Sequence, residues 1–251
     1  MPLVFEVQEL QRELRSFQKL SRSFLDLSSI PAIEQAYQSL SQIASSSDGI
    51  YDWEVRERLP IRTRMSTGEY MPDARGELHV HAVITYIWQL RPVRVKGNNR
   101  AAKRVELAGK ASTCIRLLEG DPVANSQESE VAMWRMEVAD DSSPGSYFHV
   151  QILGREEDEK FPHSLDVPRL PGALVSPFAC AEFILAELFQ ERWSAHADRD
   201  FQDVRDWRTV QARRLRRQLN WHLEEIERTA GSPWSSWKRA KPPSTLFLKQ
   251  P

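Results

Sequence analysis

Residues 78–90 alternate without a break. Leu78, Val80, Ala82, Ile84, Tyr86, Trp88 and Leu90 fall on one side of an extended chain, and His79, His81, Val83, Thr85, Ile87 and Gln89 fall on the other. A helix would scatter the first set around its circumference; a strand gathers it onto one face. A long strand with one wholly apolar side must lie against another apolar layer, so the chain has to supply both a sheet and the elements that cover it.

The middle of the chain supplies the sheet. Residues 50–55 read as a short first strand, and residues 105–118, 131–138 and 147–153 as later ones. They are separated by turn sequences at Gly97-Asn98-Asn99, Gly120-Asp121-Pro122 and residues 140–145. Turns at this spacing predict an antiparallel meander of four to five strands. No strand–helix–strand spacing occurs, which argues against a parallel dinucleotide-binding sheet. Trp134, Met136, Val138, Phe148, Val150 and Ile152 join the apolar face. His79, His81, Arg116, Arg135, Glu137, His149 and Gln151 share the mixed one.

Both ends of the chain supply helices. Val7, Leu10, Leu14, Phe17, Phe24 and Leu27 recur at helical steps. A second helix follows Ser28-Ser29, with Pro31 in its first turn and Ile33, Tyr37, Leu40 and Ile43 as its stripe. Ser176-Pro177 opens a strongly apolar helix over residues 178–193. A long helix runs from about residue 200 to 229 with Phe201, Val204, Trp207, Leu215, Leu219, His222 and Ile226 along one stripe. The expected fold is therefore α+β, with the meander packed on one face by helices, an N-terminal helical hairpin and two long C-terminal helices. Its segments are 1–48 (hairpin), 49–153 (sheet), 154–231 (irregular crossover and helices of the same domain) and 232–251, a basic tail containing Pro and Trp.

Cys114 and Cys180 form no CxxC pair, the first residues lack a basic-then-apolar leader, and no uncharged apolar run approaches the roughly 18 residues of a membrane span. These features predict a cytoplasmic protein with free thiols and no membrane contact. The formal net charge of −1 conceals segregation. Residues 91–110 and 205–217 are basic, as is the tail, while residues 119–159 are acidic.

Two groups of residues are candidates for function. On the mixed sheet face, His79 and His81 lie about 7 Å apart by strand geometry, and His149 can join them as a metal ligand or acid/base group. The neighbouring residues do not complete a known signature. Val83 stands where a histidine-triad hydrolase needs a third histidine, and the two-histidine phosphoesterase tripeptides are missing. There is no GxSxG, phosphate-binding loop, GxGxxG or HExxH motif. The second group is basic and aromatic: Arg94, Lys96, Arg100, Lys103 and Arg104 in one stretch, Arg213, Arg214, Arg216, Arg217 and Trp221 on the last long helix, and Lys238 and Arg239 in the tail. Guanidinium groups suit phosphates, and Trp side chains suit bases. Within residues 213–217 only Leu215 is expected to turn inward.

The sequence thus predicts a non-catalytic binding or adaptor subunit of a larger assembly. Its helical ends would engage another protein, its basic surfaces nucleic acid or another polyanion, and no cofactor is called for. The apolar seam of the first helix, which offers a route to an oligomer, and the tail segment Thr245-Leu246-Phe247-Leu248 are the candidate protein-docking elements. The alternative is a phosphodiesterase or metal-dependent hydrolase built on His79, His81 and His149, with Arg116 or Arg135 neutralising a phosphate.

Overall fold

The computed structural model describes residues 2–66, 79–93, 103–120, 128–139, 146–153, 169–173 and 176–248. Within them the chain forms β1 (Val4–Glu6), α1 (Val7–Ser21), α2 (Ser29–Ile43), β2 (Tyr51–Val55), β3 (Ile61–Arg62), β4 (Val80–Val93) and β5 (Arg104–Glu119). It continues with β6 (Ser129–Val138), β7 (Phe148–Leu153), β8 (Arg169–Pro171), α3 (Pro177–Ala197), α4 (Gln202–Arg228) and α5 (Pro233–Arg239). The fold is α+β, as the alternating periods require.

Among the described residues the sheet is antiparallel and has eight strands rather than four to five, in the order β2-β4-β5-β6-β7-β8, with β1 added to β5 and β3 to β4. The three extra strands are two or three residues long, too short to show alternation. β1 precedes the first helix, β3 follows Pro60, and β8 lies in a proline-punctuated stretch.

The register sorts the two faces. Tyr86, Ile84 and Ala82 of β4 stand opposite Thr113, Ile115 and Leu117 of β5, and Met136 and Val138 of β6 stand opposite Val150 and Phe148 of β7. This face meets α2 and α3, and a single buried cluster unites Leu3, Leu10, Ile33, Trp53, Trp88, Phe178, Trp207 and Phe247. Trp53 on β2 donates its indole N–H to the Ala36 carbonyl of α2 at 3.0 Å, so this fully buried ring also satisfies its polar atom. Ser176 caps α3 by accepting from the Ala179 N–H at 3.1 Å, with Pro177 in the first turn.

Two expectations about the chain ends change. The seam of α1 (Leu10, Leu14, Phe17, Leu20) is fully enclosed by its own chain, so it is not the oligomer surface the sequence suggested; Leu27, assigned to the same seam, is 67% exposed. The tail segment also turns inward. Phe247 stacks on Phe5 at 5.4 Å, and Arg217 donates to the Leu248 carbonyl.

The last long helix is rotated relative to its apolar pattern. Its buried residues are Trp207, Val210, Arg214, Gln218, Trp221 and His222, while Phe201, Leu215 and Leu219 are exposed. The cause lies on α1, which packs against α4 and presents two buried carboxylates, Glu9 and Glu13. Arg214 donates from Nε to Glu9 at 3.2 Å and from Nη1 to Glu13, and Arg213 pairs with Glu9. Gln211 and Ser176 also donate to Glu13. A buried carboxylate needs a cation and several donors, and α4 turns to provide them. Burial alone would lower the Arg214 pKa, but the two carboxylates outweigh it and hold the pKa above its ordinary value.

Replacing Arg214 with Met should leave Glu13 buried without its ion partner and cost about 3–5 kcal/mol. Urea unfolding followed by circular dichroism measures it, and a loss below about 1 kcal/mol, the scale of an exposed ion pair, would show that this pair does not hold α1 to α4.

Candidate functional site

The second face of the sheet is a lattice of charge pairs. Arg62 on β3 meets Glu128 at 2.9 Å and approaches the His81 ring at 3.2 Å; Arg116 on β5 meets Glu130 at 2.7 Å. Arg135 on β6 donates to Gln151 on β7 at 2.9 Å, and Glu137 lies 3.2 Å from His149 Nε2. His149 Nδ1–H donates to the Ser146 carbonyl at 2.9 Å, which fixes the ring at both nitrogens. Burial pushes the Glu137 carboxyl up, but hydrogen bonds from His149 and Ser112 and the Arg135 guanidinium outweigh burial and leave it below its ordinary value.

The three candidate histidines do not meet. His81 pairs in register with Leu118 near the end of β5, whereas His149 pairs with Glu137 near the end of β6. Three strand spacings and most of a strand length separate them, on the order of 25 Å. His81 is buried, and His79, just before β4, is exposed. Among the described residues no three His, Cys, Asp or Glu side chains are placed to hold a metal ion. Cys114 lies mid-face, opposite Thr85 and Arg135, in a shallow cavity of about 370 Å³ also lined by Ser112 and Lys110. Burial raises its thiol pKa despite Arg135 and Arg116, and burial raises that of the core residue Cys180 further.

The basic candidates divide. Arg94, Lys96 and Arg100 lie outside the described residues. Lys103 is exposed and donates to Ser45, and Arg104 is half-buried where β5 begins. Arg213 and Arg214 turn inward to Glu9 and Glu13, opposite to expectation, while Leu215 turns out at 44% exposure. Arg217 is held by the tail. Arg216, Lys238 and Arg239 remain exposed.

Around the last two of these, α4 and α5 build an aromatic column. Phe148 meets Trp221 edge-on at 6.0 Å, Trp221 lies 4.3 Å from His222, and His222 stacks on Trp237 at 4.2 Å and 22°. Trp234 follows at 6.3 Å and 29°, and is 74% exposed. On the short helix α5, Trp234 and Lys238 are four residues apart and so lie side by side. Among the described residues, neither ring nitrogen of His222 nor the indole nitrogens of Trp221 and Trp237 have a hydrogen-bond partner.

Sequence pattern gave no sign of Glu9 and Glu13 as partners of α4. The one available clue was two acids, four residues apart, adjacent to an apolar seam. Trp234 was visible as a residue but not as the exposed end of a column. No family model, curated protein or solved structure matches this chain.

Neither cysteine should react with Ellman's reagent at neutral pH while the protein is folded, and both should react once it is unfolded; rapid modification of Cys114 in the native state would contradict its raised pKa. Burial lowers the His222 pKa to about 4 from 6.5, so the unfolded chain takes up that proton first. Stability should accordingly fall as pH drops from about 6.5 towards 4, and His222→Phe should flatten that part of the thermal-melting profile.

Proposed function

We propose that this protein is a non-catalytic binding subunit that contacts single-stranded nucleic acid through the α5 platform. The observation that carries the reading is Trp234, a large ring 74% exposed at the outer end of the aromatic column, 6.3 Å from Trp237. An exposed Trp offers a base a face to stack on, whatever the base. Lys238 beside the ring and Arg239 on the next position supply charge for the phosphate backbone, and no ion pair to an acidic side chain engages either among the described residues. The polar sheet face supports such a role less well, because its arginines are matched by Glu128, Glu130 and Glu137.

Fluorescence anisotropy with labelled single-stranded and duplex oligonucleotides at two salt concentrations tests this. Single strands should bind more tightly than duplex, and added salt should weaken binding. Trp234→Ala should cost about 1–3 kcal/mol, and Lys238→Gln should reduce the salt slope by about 1. Salt-insensitive binding, or a Trp234→Ala protein that binds like the parent, would refute the assignment.

A further inference from the structure

The side of α4 that turns away from α1 carries an uncovered apolar strip. Leu215, Leu219 and Leu223 are 44%, 44% and 58% exposed, Ala212 is exposed and Ile226 half-buried. At about 100° per residue these five positions fall within a band of roughly 80°, a single stripe. The stripe is symmetric about Leu219: Leu215 and Leu223 lie four residues to either side, Ala212 and Ile226 seven. Charge along the helix is not symmetric. Arg208 and Arg216, exposed and without an ion pair among the described residues, precede the centre, and Glu227, likewise exposed and unpaired, follows it.

We infer that this stripe is the seat of a two-fold dimer, in which a second copy of the chain lays its α4 antiparallel on the first and crosses it at Leu219. Such an interface is isologous: a residue a given distance before the axis meets the residue the same distance after it. Symmetry about one residue satisfies that condition, whereas a foreign partner places no such demand on the spacing. Leu215 then faces Leu223 of the second copy, and Ala212 faces Ile226. The antiparallel direction also sets the basic half of each α4 against the acidic half of the other, whereas a parallel pair would bring arginine onto arginine. Beside Leu215, a cavity of about 320 Å³ between α3 and α4, lined by Phe183, Ala186 and Ala212, is open to receive Leu223 of the second copy. The dimer is independent of the nucleic-acid reading, since Trp234 and Lys238 lie on α5.

Sedimentation equilibrium of the full chain should show a concentration-dependent dimer. Leu219→Glu, which brings two carboxylates together on the axis, should sediment as a monomer with an unchanged circular dichroism spectrum. The register is tested in a Cys114→Ser background under mild oxidation. Leu219→Cys alone should form a disulfide-linked dimer and Leu215→Cys alone should not, while a mixture of the Leu215→Cys and Leu223→Cys proteins should cross-link. A wild-type chain that stays monomeric up to its solubility limit, a Leu219→Glu protein that still dimerises, or Leu215→Cys cross-linking to itself as readily as Leu219→Cys would each overturn the inference.

Discussion

Two carboxylates buried on the first helix govern how the rest of the chain is arranged. Glu9 and Glu13 are 5% and 0% exposed, and burying two charged carboxylates calls for cations beside them. The cations come from Arg213 and Arg214, some two hundred residues later, so the ends of the sequence are joined by electrostatic necessity rather than by apolar affinity alone. Once Arg214 points inward, Gln218, Trp221 and His222 follow it along the same side of α4, and the leucines are forced out. The inward row continues into the Trp column and positions α5, so the same ion pairs that close the core also orient the platform at its edge.

The sheet illustrates how topology decides chemistry. His81 and His149 share a face, as their positions in alternating strands require, yet sharing a face says nothing about sharing an end. In a meander, adjacent strands reverse direction, so residues near the start of β4 and the start of β7 lie at opposite ends of the sheet. Each histidine is instead drawn into the charge pairing of its own neighbourhood, with Arg62 and Glu128 in one case and Glu137 in the other.

Much of the architecture was legible in the sequence. Alternation in β4, turn residues between strands and helical repeats in α1 and α2 each report a local period that tertiary packing did not overrule. The face of α4 was misread because hydrophobicity is a proxy for burial, and the proxy fails where the buried partner is charged. Leu215 and Leu219 are more apolar than Arg214 and Gln218, but only the latter pair can answer Glu9, Glu13 and the Gly172 carbonyl. The short strands β1, β3 and β8 were missed for a different reason: two or three residues carry no period. The aromatic column depends on contacts between α4, α5 and β7, and no reading of one segment contains it.

The joining of the two ends has a consequence for the order of events during synthesis. A chain extended only as far as α3 has made every long strand of its sheet, yet it lacks Trp207, Arg214 and Phe247 and still carries Glu9 and Glu13 with no counter-charge. Such an intermediate cannot close its core, however favourable the early hairpins are, because the contacts it awaits span almost the whole sequence. Core closure therefore waits until α4 has left the ribosome and can bring Arg214 to Glu9 and Glu13. Until then Phe17 and Phe5, which pack on Trp207 and Phe247, are the core surface left uncovered.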